Sequence, residues 1–173
     1  MPVLTGGPAV DAAWRQLLDR AGPRDGVPLT ENPDLHLLVD GRRVDADGRR
    51  DAAGPDGMIR VFALPASARS VRIVSRAAAP AELGLARDPR ELGVALRRLV
   101  LRQRTWFRTI AVTDPALRDG FHDCEPAEGI RWTNGDAALP VSLFAGRSGQ
   151  LELVLHLGGT TRYIDDGSAA KVA

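Results

Sequence analysis

Four leucines at alternate positions, 151, 153, 155 and 157 in LELVLHL, constrain the fold more than any other feature of this chain. Side chains alternate across a strand, so the leucines share one face while Glu152, Val154 and His156 share the other. A face of four leucines must be covered by a second layer. The same period of two recurs in MIRVFAL (58–64), where Met58, Arg60, Phe62 and Leu64 oppose Ile59, Val61 and Ala63, and in RSVRIVSR (69–76) and TWFRTIAV (105–112). LHLLV (35–39) runs into Asp40-Gly41, a dipeptide suited to a hairpin turn. Strands this short, broken every dozen or so residues by turn formers, predict a mainly β fold. The expected architecture is an antiparallel, jelly-roll-like β-sandwich rather than an α/β fold.

The 173 residues, 44% of them apolar and 26% charged, suffice for one hydrophobic core without covalent staples. DAAWRQLLDRA (11–21) sets Ala13, Trp14, Leu17, Leu18 and Ala21 at helical spacing, with Asp11 as N-cap and Gly22-Pro23 as stop. This predicts a short amphipathic helix docked through Trp14 and the two leucines. The organisation expected is 1–34 for tail, helix and linker, 35–165 for the sandwich, and 166–173 for a mobile C-terminal tail. Residues 45–57 read as a charged loop. Segment 88–101 gives two answers. Asp88, Pro89 and Glu91 form a helix-start pattern ahead of Leu92, Ala95, Leu96, Leu99 and Val100. Gly93 and the alternation of Leu92, Val94 and Leu96 argue for strand. On local evidence alone the helix signals prevail.

Composition narrows the function. A net charge of +1 with no basic cluster gives no reason to expect a nucleic-acid partner. Lys171 is the one lysine, and the arginines are spread along the chain. The lone Cys124 excludes an internal disulfide and any multi-cysteine metal site. No apolar run approaches the roughly 18 residues of a membrane span, and the first residues lack the pattern of a signal peptide. A soluble chain with no membrane partner and no cofactor is expected.

Polar chemistry concentrates in DGFHDCEPAEGIRWTNGDAALP (119–140). His122 with Glu125 or Asp136 could serve as an acid–base set of a hydrolase. Turn capping is the structural alternative for the same groups. Trp132, Asn134 and Asp136 suit a sugar, the ring stacking and the polar groups binding hydroxyls, although Trp132 reads more readily as a core anchor. Glu125 is expected to pair with Arg131 or to accept backbone N–H groups. Cys124 reads as a half-buried spectator, and no histidine or carboxylate spacing defines a metal site. Arg72, Arg76, Arg87 and Arg90 surround a loop with Glu82 and Asp88 as available ion-pair partners.

Several phrases together, VRIVSRAAAPAELGLARDPRELGVAL, GFHDCEP, RWTNGDAALP and LELVLHLGGTTRYI, resemble a domain found C-terminal to the Hint (hedgehog/intein-type) domain of bacterial proteins. Similar phrases occur in regions attached to bacterial glycosyltransferases. The resemblance covers roughly 35–164. It carries a Ser75-Arg76 phrase, an Asp88-x-Arg90-x-Leu92-Gly93 phrase leading into an extended strand, Phe121-His122-x-x-Glu125, and Trp132-Thr133-x-Gly135. It therefore implies strand over 92–101. It implies no activity, and with no splicing block at the start of this chain self-cleavage is not carried over.

The expected function is a non-catalytic accessory or binding module associated with carbohydrate or cell-surface material. The alternatives are the hydrolase above and a protein–protein interaction domain packing on a neighbouring domain or a second copy. Candidate ligand-binding residues are His122, Glu125, Arg131, Asn134, Asp136, Arg76 and Arg90, with no catalytic or metal-binding assignment. With His36, His122 and His156 on separate segments, folding should need no metal. A chelator is expected to leave the thermal melt unchanged, and a melting point lowered by EDTA would contradict this.

Overall fold

Alternating apolar segments become strands throughout the computed structural model, which describes residues 7–22, 26–54, 57–65, 68–147 and 149–167. In chain order the elements are α1 (Pro8–Ala21), β1 (Leu29–Thr30), β2 (His36–Val39), β3 (Arg42–Asp45), β4 (Ala52–Gly54), β5 (Gly57–Leu64) and β6 (Val71–Val74). They continue with β7 (Val94–Gln103), β8 (Trp106–Ala111), β9 (Phe121–Glu125), β10 (Ile130–Thr133), β11 (Asp136–Leu139), β12 (Leu151–Thr160) and β13 (Tyr163–Ile164). A large sheet runs β4-β5-β12-β7-β10-β9, and β8 joins the far half of β7. A smaller sheet runs β11-β6-β2-β3, and β1 pairs with β13. All pairings are antiparallel. The expected β-sandwich is the fold.

The core lies between the two sheets. Leu151, Leu153, Leu155 and Leu157 are all buried, in one cluster with Leu37, Val39, Val71 and Ile73 of the smaller sheet. Each such side chain contributes about 1.5–3 kcal/mol by leaving water. Asp40 and Gly41, both at positive φ (49° and 77°), close the two-residue β2–β3 hairpin as the dipeptide predicts.

The ambiguous segment is strand β7, as the resemblance implies and against the local helix signals. The reason is a bulge. Leu96 pairs with Leu157 but Arg98 pairs with His156, so Arg97 is an extra residue. The extra residue moves the inward face by one position: Val94 and Leu96 point into the core before it, Leu99 and Leu101 after it. The step from Leu96 to Leu99 thereby mimics helical spacing. Asp88 does accept a hydrogen bond from the Arg90 N–H, at 2.9 Å, as a helix cap would. Here that bond closes a turn, and the chain leaves it extended.

Ahead of β7 the two sheets meet in a buried polar knot. Gly93 N–H donates to the Thr133 carbonyl at 2.7 Å, and the Thr133 hydroxyl accepts from Val94 N–H at 3.1 Å. The Tyr163 hydroxyl donates to the Gly93 carbonyl at 2.6 Å. Thr133 and Tyr163 are both 0% exposed. Gly93 is required by space: a Cβ there would lie 2.4 Å from Thr133 Oγ1 and 2.7 Å from both Gly135 N and Ser75 Oγ. Burial pushes the Tyr163 phenol up to about 12, so it remains a neutral donor.

Three expectations need correction. Helix α1 starts at Pro8 with Gly7 as N-cap, and Asp11 sits in its first turn. It buries none of its residues, leaving Trp14 40% and Leu17 56% exposed. Arg87 holds it, pairing with Asp11 at 2.9 Å and lying over the Trp14 ring at 5.7 Å. The linker residues Leu29–Thr30 form a ribbon with Tyr163–Ile164. The charged loop contains edge strand β4. The expected tails and stop fall in part on residues 1–6, 23–25 and 168–173, outside the described residues.

Removing the Tyr163 hydroxyl leaves a buried carbonyl short of its donor, so Tyr163→Phe should cost about 1–3 kcal/mol. Gly93→Ala should cost more, because backbone must move to admit the methyl. Urea melts of both variants check this, and an unchanged midpoint for Gly93→Ala would contradict the knot.

Candidate functional site

Within 119–140, strands β9, β10 and β11 and their turns carry the polar groups, and almost every group is engaged in holding the chain together. The His122 ring Nε2 lies 2.7 Å from the Glu91 carbonyl oxygen and makes no ion pair with a carboxylate among the described residues. Arg131 donates through Nε to the His122 carbonyl at 2.6 Å and through Nη1 to the carbonyls of Val112 at 3.1 Å and Asp114 at 3.3 Å. Its guanidinium also lies 5.7 Å from the Phe121 ring centre. Arg131 thus ties the β8–β9 connection to β9. Glu125 pairs with Arg90 at 2.7 Å rather than with the expected Arg131, and its backbone carbonyl receives Glu128 and Gly129.

Arg90 bridges Glu125 to Asp88, at 2.6 Å. The Arg90 guanidinium holds the Asp88 carboxyl below its usual value of 3.8, the hydrogen bond being the leading cause. A depressed folded pKa means this pairing stabilises the fold above the unfolded value and is lost as pH falls through the lower folded one. Asn134 accepts from Asp136 N–H at 3.0 Å, an Asx turn around Gly135. The Asp136 carboxylate pairs with Arg72 at 2.6 Å. Arg76 stands apart from these, donating to the Asn32 carbonyl at 3.2 Å and pairing with Asp166 at 3.0 Å. Thus Arg72, Arg76, Arg87 and Arg90 are all ion-paired, with Asp88 the one partner that the sequence suggested.

The structure brings His122, Glu125 and Arg90 together at one edge, places Asn134 and Asp136 at the next turn, and separates Arg76 from both. Trp132 is half-buried and lies outside the core cluster, against the expectation of a core anchor. It sits on β10, between β7 and the edge strand β9, opposite the buried Ala95. Cys124 is half-buried with its thiol 3.5 Å from the Ile130 carbonyl. No group of three or more metal-ligating side chains occurs among the described residues.

At the other end of β7 the structure opens a cleft of about 870 Å³ that the sequence does not advertise. Its walls come from the loop before β4, the β7–β8 hairpin and the start of β12, contributing Arg50, Arg102, Gln103, Arg104, Gln150 and Glu152. Arg50 and Arg102 converge on the Glu152 carboxylate, Arg50 with both terminal nitrogens and Arg102 through Nε. These bonds hold the Glu152 carboxyl below its usual range, Arg50 making the largest contribution. Arg104 occupies a left-handed turn position (φ 51°) at the hairpin tip. Phe107, directly opposite Arg102 across the β7–β8 ladder and so on the same face of the sheet, is 70% exposed. The neighbouring Trp106 packs on the core and carries the Arg147 guanidinium 3.7 Å from its ring centre.

No family model, curated protein or solved structure matches the chain. No helix among the described residues is long and apolar enough to cross a membrane.

Arg131→Ala should destabilise by about 1–3 kcal/mol, since three backbone carbonyls lose their donor. Glu125→Ala should cost under about 1 kcal/mol, because Arg90 keeps Asp88. Denaturant melts of both variants test the ranking, and the reverse order would contradict a structural role for Arg131.

Proposed function

We propose that this chain is a non-catalytic binding module for carbohydrate, with the β7–β8 cleft as its ligand site. The observation that carries this reading is the exposed Phe107 ring beside an open cleft of guanidinium, amide and carboxylate groups. A flat ring packs on the apolar face of a sugar while convergent polar groups bind its hydroxyls.

The hydrolase alternative finds less support. It needs His122 and a carboxylate within hydrogen-bond reach, whereas the imidazole engages the Glu91 backbone carbonyl. The resemblance to regions accompanying Hint domains and glycosyltransferases fits an accessory role attached to another unit. The exposed Trp14 and Leu17 of α1 favour a second reading, in which the helix packs on a neighbouring domain.

A glycan array probed with the intact chain tests the first reading. Binding is expected, with Phe107→Ala losing about tenfold in affinity while its melting point stays within the small change of a surface substitution. Glycan binding that survives Phe107→Ala unchanged would move the site elsewhere.

A further inference from the structure

The β7–β8 cleft carries three guanidinium groups, from Arg50, Arg102 and Arg104, against the single carboxylate of Glu152. Glu152 engages Arg102 through Nε alone, so both terminal nitrogens of Arg102 keep their hydrogens without an acceptor among the described residues. Arg104 makes no hydrogen bond or ion pair among the described residues and sits at the hairpin tip. The two guanidiniums are two residues apart on one hairpin, Arg102 near the end of β7 and Arg104 in the turn that follows it. Glu152 orients Arg102 from one side, which lowers the entropy lost when a ligand engages the other. Planar guanidinium forks bind two oxygens of a carboxylate or of a tetrahedral oxyanion in bidentate geometry and discriminate against neutral hydroxyls by charge. Phe107, opposite Arg102 on the same sheet face, offers an apolar surface within one sugar ring of that fork.

Resting on the carbohydrate reading above, we infer that the cleft selects acidic saccharides, seating a carboxylate or sulfate on Arg102 and Arg104 with the sugar ring against Phe107. The surplus of positive charge is local: the chain as a whole carries only +1, so selectivity comes from this cleft and not from a general basic surface. Glu152 acts as a positioning residue and also as an internal competitor for the Arg50 and Arg102 forks. Replacing it with glutamine removes the competing charge while keeping a side chain of the same shape.

Titration calorimetry on the full chain tests this with four probes: an oligogalacturonate, a sulfated dextran oligosaccharide, a neutral maltooligosaccharide of equal length, and an oligothymidylate of matched charge. The oligogalacturonate or the sulfated probe should bind at least about tenfold more tightly than the neutral sugar, with affinity falling as salt rises. Which of the two binds tells carboxylate from sulfate as the group seated. Arg104→Asn, which tolerates the left-handed turn, should lose about tenfold with an unchanged melting point, and Glu152→Gln should bind about fivefold more tightly. Equal affinity for the neutral probe would overturn acidic selectivity and leave the carbohydrate module standing. Binding to none of the sugars would overturn both. Oligothymidylate binding as tightly as the acidic sugar would show charge alone at work and overturn the saccharide assignment, as would full affinity in Arg104→Asn for its placement.

Discussion

The buried contact among Gly93, Thr133 and Tyr163 is where the sandwich closes. Two sheets and a terminal ribbon converge there with backbone groups that no water can reach, so each donor and acceptor must find a protein partner. Thr133 supplies both a carbonyl and a hydroxyl to Gly93 and Val94. Tyr163 brings in the strand that pairs with the segment after α1. Ser75, just after β6, and Gly135, just before β11, pack against the bare α-carbon of Gly93, and the Ser75 N–H bonds the Gly135 carbonyl at 2.9 Å. The sequence phrases Ser75-Arg76, Leu92-Gly93 and Trp132-Thr133-x-Gly135 thus come from distant parts of the chain to one point. Their spacing has a steric explanation without any ligand.

That closure divides the molecule along β7. Toward its first residues lies the knot, with Arg131 and the Asp88–Arg90–Glu125 set locking the surrounding turns. Roughly 25–30 Å away, at about 3.3 Å per residue, the same strand ends in the hairpin whose arginines and exposed phenylalanine border the cleft. Rigid pairing of β7 with β12 links the two ends, so the hairpin side chains stand on an ordered support, as a preformed site requires. The polar groups at the two ends of β7 differ in one physical respect. At the first end, arginines find backbone carbonyls or carboxylates with several of their donors. At the second, Arg104 and the terminal nitrogens of Arg102 have no such acceptor among the described residues.

Much of the sandwich could be read from local pattern, because a period of two survives in β5, β6 and β12 and the Asp40-Gly41 turn announces its own geometry. Segment 88–101 could not, because the bulge at Arg97 breaks the period where the apolar residues are densest, and Asp88 makes a cap-like bond in either conformation. The helix was recognisable but its environment was not: an amphipathic pattern says which face is apolar, not whether a layer exists to cover it. Among site residues, the dense titratable groups of 119–140 fall on a segment whose His122, Glu125, Arg131 and Asp136 are bound to neighbouring backbone or to Arg90 and Arg72. The cleft escaped because Arg50 lies 102 residues and Arg102 50 residues from Glu152 along the chain, and only strand register brings them together. An exposed Phe107 beside a core-packed Trp106 was foreseeable from alternation; its neighbours were not.

Amide chemical-shift mapping separates the two ends of β7 in one titration. With an oligogalacturonate or a sulfated oligosaccharide added to the ¹⁵N-labelled chain, the shifts should cluster at Arg102–Phe107, at Gly149–Glu152 and at Arg50, leaving Gly93, Thr133 and Tyr163 in place. Shifts centred instead on His122, Glu125, Asn134 and Asp136 would contradict the division into a structural end and a binding end, and would return the ligand site to the segment where polar residues are densest.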